Sequence, residues 1–246
     1  MTEAVVALPM YDWPEAAAET DAEWRRLRAA LAASGVAAPA RLARSNADLP
    51  PVPGRPALPP HGFDFQALWR HPALLFAQTC WGPMEEGLAA AVQLVGQPSY
   101  DAFQGGMGPL YASALVMRGK GHAGPREDGQ ANLPLDLMRG KRFAYNSLDS
   151  MSGILAPSRD LGGIGLFAER VETGGHRASI VAVAEGRADV AAIDCRSWDL
   201  ALRFEPAAAE LAVVGWTARR PGLPYITGRA TPAGTVARMR RALASA

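Results

Sequence analysis

The chain has 246 residues, 49% of them hydrophobic, and carries 25 basic against 24 acidic side chains. That length and content support a sizeable core, in one large domain or two lobes. The balanced charge, with no basic block, excludes the electrostatic footprint of a nucleic-acid or anionic-membrane binder, and a small-molecule partner is expected.

No run approaches the roughly 18 consecutive apolar residues of a membrane span. The opening MTEAVVALPMYDWP has Glu3 where a secretory leader carries Lys or Arg, and its apolar run stops at Pro9. As written this predicts a cytoplasmic product, or a periplasmic one if a leader has been removed. Cys80 and Cys195 lie far apart beside apolar residues, which reads as two buried free thiols. The histidines His61, His71, His122 and His176 share no metal-ligand spacing, so neither a metal nor a cofactor is predicted.

Val5 to Leu8 reads as the first strand, with Tyr11, Asp12 and Trp13 in the loop after it, where open α/β sheets bind ligands. Pro14 and Glu15 open a helix on which Trp24, Leu27 and Leu31 recur at helical spacing, and Gly35 closes it. Ala40 to Arg44 is a candidate second strand. The proline-rich run from Asp48 to Pro60 excludes helix and central strand and reads as an extended surface connection. A short helix is expected over Phe63 to Arg70, then a strand over Leu74 to Thr79 that empties into a loop of Cys80, Trp81, Gly82 and Pro83. Met84 to Ala91 reads as helical and Val92 to Val95 as a fourth strand.

Gln104 to Gly108 is glycine-rich, but it lacks the Lys-Ser/Thr of a phosphate loop and precedes a predicted strand, Leu110 to Met117. Its glycines are expected to permit a turn or a close backbone approach. A polar loop over Gly119 to Gln130 and a short helix over Leu133 to Arg139 lead to FAYNSLDSMSGIL, Phe143 to Leu155. There a buried strand empties into Asn146, Ser147, Asp149, Ser150 and Ser152 before apolar residues resume as a helix. Hydroxyls and N–H groups at a helix start, with its dipole, outline an anion site.

A second strand-loop-helix follows, with Val171 to Thr173 leading through Gly174 and Gly175 to His176 and a helix over Ala178 to Glu185. In a third, the strand Val190 to Ile193 ends at Asp194 before a helix over Trp198 to Phe204. Leu211 to Val214 is the next strand, Trp216 to Pro224 has loop composition, and Ala233 to Leu243 closes the chain as a basic amphipathic helix. Parallel strands would bring Ser150, Ser152, His176 and Asp194 to one sheet edge.

The segments KRFAYNSLDSMSGIL, ETGGHRASIVAVAEGRADVAAID and GWTARRPGLPYIT resemble the periplasmic phosphonate-binding proteins of ABC importers. The likeness covers most of the chain, is strongest from Arg142 to Thr227, and is thin from Ala37 to Phe63. It implies an α/β, two-lobed type II periplasmic-binding-protein fold, each lobe a mostly parallel sheet flanked by helices, with a hinge of crossing strands. Residues 1–112 plus 215–246 would form one lobe and residues 113–214 the other. The implied function is capture of a small oxyanion, a phosphonate or phosphate-like compound, in the cleft between lobes, by a monomer that serves an ABC permease without entering the membrane.

The resemblance further implies that Ser150, Ser152 and the Met151 N–H donate to the oxyanion with His176 beside them, that Asp194 meets an amino group, and that Tyr11 supplies an aromatic contact. Trp81 falls in a loop that faces the cleft in such folds. The usual Ser-Thr-Ser-Gly reads Ser150-Met151-Ser152-Gly153 here, one hydroxyl fewer, which points to a less charged ligand such as a phosphonate monoanion or a carboxylate. Two alternatives stay open on the same fold: a cytoplasmic enzyme of the kind found in menaquinone biosynthesis, and a ligand-sensing regulatory module. Ser152, His176 and Asp194 also have the residue types of a hydrolytic triad, but no Gly-x-Ser-x-Gly surrounds Ser152.

Overall fold

Val5 and Ala7 of β1 (Val5–Ala7) point into one apolar cluster and Val6 into another, the two-residue period of a strand buried on both faces. The computed structural model describes residues 4–244. They fall into two units, residues 4–98 with 223–244 and residues 99–222.

In the first unit, α1 (Ala17–Ala33) buries Trp24, Leu27 and Leu31 along one face, as their spacing predicts. Ala40 to Arg44 does not form a strand. The Ala43 N–H donates to the Val6 carbonyl at 2.8 Å, and Ser45 and Asp48 then close a capping box that turns the chain away before a ladder can form. After α2 (Phe65–Trp69) and β2 (Leu74–Gln78), Trp81 opens α3 (Trp81–Glu85) rather than lying in a loop. Pro83 is tolerated there because a first-turn N–H has no partner in the helix ladder. β3 (Val92–Gly96) follows.

The second unit starts with β4 (Leu110–Tyr111) and β5 (Ser113–Arg118), one predicted strand divided at Ala112, whose N–H donates to Gly105 and whose carbonyl accepts from Cys195. Gly106 lies so close to the Tyr100 carbonyl oxygen that a Cβ would stand 1.9 Å from it, the close approach expected of this stretch. The chain continues through α4 (Leu135–Met138), β6 (Arg142–Tyr145), α5 (Ala156–Leu161), β7 (Glu169–Glu172), α6 (His176–Ala184), β8 (Val190–Asp194), α7 (Cys195–Phe204) and β9 (Leu211–Trp216). The segment read as loop contains a two-residue strand, β10 (Arg220–Pro221), paired antiparallel with β4. β11 (Tyr225–Gly228) and α8 (Ala233–Ala244) complete the first unit.

The first unit's sheet has the order β1-β2-β11-β3, with β1 and β2 parallel and β11 antiparallel to both its neighbours. One face packs against α1 and α8, where the Phe76 ring lies 5.7 Å from Trp24 and 5.0 Å from Tyr225. The other is covered by Leu68, Trp69, Met84 and Leu88. The second sheet runs β7-β6-β8-β5-β9, with β6 parallel to β7 and β8, and β5 antiparallel to its neighbours. Phe143, fully buried, stacks on Phe167 at 4.5 Å in its core. Because β6, β7 and β8 are parallel, the segments that leave them emerge at one edge.

Candidate functional site

That edge assembles most of the predicted residues. After β6, the Tyr145 carbonyl accepts from the N–H and the hydroxyl of Thr173, both at 2.9 Å, and the Asn146 carbonyl accepts from the Gly174 N–H at 2.8 Å. These bonds hold the approach to His176 against the loop that follows β6. Ser150 caps the next turn, its Oγ accepting from the Gly153 N–H at 3.0 Å. Ile154 and Leu155 both donate to the Ser150 carbonyl, which widens Met151–Leu155 into a π-type turn. Pro157, without an N–H and with a ring that crowds the Gly153 carbonyl, disfavours an ordinary α-turn here.

Met151, Ser152 and Gly153 are buried in this turn. A Cβ on Gly153 would stand 2.8 Å from Ser150 Oγ and 3.0 Å from Asn146 Oδ1, so the space for the cap exists because this residue is glycine. The Met151 sulfur accepts from Arg159 Nη1 at 3.5 Å. The hydroxyl absent at this position is therefore replaced by a thioether held by an arginine of α5.

Ser152 Oγ lies 2.8 Å from His176 Nε2, at the first position of α6. Asp194 Oδ2 lies 3.1 Å from the same nitrogen. The other Asp194 oxygen caps α7, accepting from the N–H groups of Arg196 and Ser197 at 3.1 and 3.0 Å. Burial by itself would raise the Asp194 carboxyl. The hydrogen bond and charge of His176, with the bonds from Ser197, outweigh it and hold the group below the ordinary carboxylate range.

Two neighbours on one imidazole nitrogen decide what the trio can do. In a hydrolytic relay the carboxylate holds one ring nitrogen and the serine hydroxyl gives its proton to the other. Here the second nitrogen, Nδ1, is buried with no hydrogen-bond partner among the described residues, and so is Asn146 Oδ1. A carboxylate only accepts, so the network assigns a hydrogen to Nε2, shared between Asp194 and Ser152. Ser152 Oγ is then an acceptor toward histidine, and its own hydrogen is left to donate elsewhere.

Ser150, Met151, Ser152, His176 and Asp194 thus come together in the second unit. Tyr11 and Trp81 belong to the first, where Tyr11 is buried and Trp81 packs part-buried against the Leu68 and Met84 cluster. Since β1 and β2 are parallel, both follow the same edge of that unit's sheet. Sequence reasoning missed Ser113, whose hydroxyl donates to the Ser152 carbonyl at 3.1 Å and whose N–H donates to Thr217 Oγ1 at 2.8 Å. It lies opposite Asp194 in the β5/β8 register, a pairing that no local signal marks. From sequence, Asn146 reads only as loop polarity.

Residues 89–246 match the family described as ABC transporter, phosphonate, periplasmic substrate-binding protein. Comparison with curated proteins by sequence gives no match. The chain is similar to the structure of PhnD1 from Prochlorococcus marinus in complex with methylphosphonate, at 15% identity and TM-score 0.62, over 98% of this chain and 83% of that one. It is also similar to a binding protein component of an ABC phosphonate transporter from Pseudomonas aeruginosa, at 16% identity and TM-score 0.61, over 97% and 73%. ArtJ of Geobacillus stearothermophilus, an arginine-, lysine-, histidine-binding protein, is similar at 13% and 0.55, over 99% and 89%. These likenesses establish the type II periplasmic-binding-protein fold, and no helix among the described residues is long and apolar enough to cross a membrane. By its family match the chain is a substrate-binding component of a transport system rather than an enzyme, and it belongs to the phosphonate periplasmic substrate-binding proteins of ABC transporters.

Proposed function

We propose that the Ser150–Gly153 turn and His176 seat the oxyanion of a phosphonate, which the protein delivers to an ABC permease in the periplasm. The observation that carries this reading is the shared His176 Nε2, with Ser152 Oγ at 2.8 Å and Asp194 Oδ2 at 3.1 Å. It leaves the Ser152 hydroxyl hydrogen for a ligand oxygen, at a helix start whose dipole favours negative charge. The Nδ1 of His176 is also buried, with no hydrogen-bond partner among the described residues. The Met151 backbone N–H is proposed as a donor beside the Ser152 hydroxyl. Tyr11 and Trp81 are proposed as ligand contacts of the other unit.

With one hydroxyl fewer than Ser-Thr-Ser-Gly, the turn favours a monoanion over a dianion. Asp194 has both oxygens engaged inside the chain, so an amino group would have to share Oδ2 with His176. The test is a thermal-unfolding screen of methylphosphonate, aminoethylphosphonate, phosphate, phosphite, sulfate and small dicarboxylates against wild type, Ser152→Ala and Asp194→Asn. A ligand at one hundred times its Kd adds about 2.7 kcal/mol to native stability. The expected result is stabilisation by a phosphonate that disappears in Ser152→Ala. Stabilisation that survives Ser152→Ala and His176→Ala together would overturn the assignment of the site.

A further inference from the structure

The first unit carries a cavity of about 520 Å³ at the sheet edge opposite the one that Tyr11 and Trp81 follow. The start of β2, with Leu74 and Leu75, and Gly228 at the end of β11 contribute to its wall, and Arg55, Arg70 and Arg229 line it from three separate segments. Among the described residues no aspartate or glutamate lines it. Several other arginines of the chain sit on carboxylates, as in Arg44 with Asp12, Arg142 with Asp189, Arg177 with Glu205 and Arg220 with Asp160. Among the described residues, Arg55, Arg70 and Arg229 make no such pair.

The backbones that present them are fixed. The Gln93 side-chain amide donates to the carbonyls of Arg229 and Thr231, at 3.0 and 2.8 Å, and so pins the turn after β11. Buried His71 accepts the Ala73 N–H at Nδ1, at 3.1 Å, which leaves Nε2 to donate to the Pro50 carbonyl at 2.9 Å. One imidazole thereby ties the proline-rich segment that carries Arg55 to the turn beside Arg70. Three arginines line one concavity in which no carboxylate among the described residues offsets them, and a polyanion would supply the counter-charge. Guanidinium forks match phosphoryl oxygens two at a time.

A second cavity, about 390 Å³, shares Arg55 and His71 with the first and is otherwise largely apolar, with Pro50, Pro51, Val52 and Leu58 in its wall. A cationic compartment beside an apolar one fits a ligand with a charged head and an apolar body. We propose that this basin binds a phosphorylated organic anion of two or more charges, its phosphoryl group on Arg55, Arg70 and Arg229 and its apolar body over the proline-rich segment. This is a site separate from the Ser152 turn and does not depend on the reading of that turn.

The test is calorimetric titration at pH 8 and low ionic strength with phenyl phosphate and with inorganic phosphate. Wild type, the double variant Arg70→Gln/Arg229→Gln, and Ser152→Ala are compared. All three arginines are exposed, so an unchanged Tm checks that the double variant is folded. The expected result is phenyl phosphate binding that weakens at least tenfold in the double variant, stays within twofold in Ser152→Ala, and is tighter than that of inorganic phosphate. Absence of binding to wild type, or binding that the double variant leaves within twofold, overturns the proposal. Equal affinity for the two probes overturns the apolar half of it. Loss in Ser152→Ala alone assigns the heat to the other site.

Discussion

The Oδ2 of Asp194 lies 3.1 Å from His176 Nε2, while its Oδ1 caps the helix that Asp194 itself introduces. One buried carboxylate thus joins the start of α7 to the start of α6. Both helices rise from the edge where β6, β7 and β8 end, so a single residue fixes the spacing of two segments of the candidate site.

Removing that carboxylate should cost more than a cap. Loss of an N-cap is worth about 1 kcal/mol, and breaking a buried pair about 3–5 kcal/mol. Asp194→Ala is expected to lose at least about 3 kcal/mol in urea denaturation, within the range for such pairs. Asp194→Asn keeps a capping oxygen and should fall between Ala and wild type. Equal midpoints for all three proteins would show that the pair contributes nothing.

Gly153→Ala should damage the site without removing any proposed donor. Its Cβ would press to 2.8 Å from Ser150 Oγ, so the cap or the turn must move. We expect weaker phosphonate binding in Gly153→Ala, with a lower Tm from the disturbed cap. Normal affinity and Tm would mean that the turn has slack that its packing does not suggest.

Acid stability should report Asp189. Its side chain takes two hydrogen bonds from the Arg142 guanidinium, and although partial burial opposes this, the Arg142 bonds hold the carboxyl down to about 2. An unfolded aspartate titrates near 3.9, roughly. A carboxyl depressed in the folded state gives stability that is present above the unfolded value and is lost as pH falls through the folded one. Between about pH 4 and pH 2, wild type should therefore lose stability more steeply than Asp189→Asn. The same sign holds for Asp194. Parallel stability curves for the two proteins in that window would refute the assignment to Asp189.

Cys195 should be inert in the folded protein. Burial pushes its thiol up, and the neighbouring Asp194 carboxylate pushes it further. Cys80 is also buried and forms no disulfide. Thiol-modifying reagents are expected to label neither residue at neutral pH until denaturant is added. Rapid native labelling of Cys195 would mean that the start of α7 opens readily.

Much of this protein is written locally. The apolar runs at Val5, Leu74 and Val190, the helical spacing of Trp24, Leu27 and Leu31, and the serine-capped start after Tyr145 are read over a few neighbouring residues, and the fold follows those signals. The elements that sequence misjudged are short ones, one set by a distant partner and one by a local cap. β10 exists because Arg220 and Pro221 find Leu110 and Tyr111, and Ala40 to Arg44 fails as a strand because the Ser45 and Asp48 box turns it away.

At the site, the sequence by itself determined the residue types and their places at strand ends: Ser150 and Ser152, His176, and Asp194. Only the tertiary structure decided that Ser152 and Asp194 meet on the same histidine nitrogen, and that Ser113 stands behind Ser152. Those contacts join segments 24 and 39 residues apart. They depend on strand order and register, which periodicity within one strand does not encode, because pairing is chosen by the packing of whole faces.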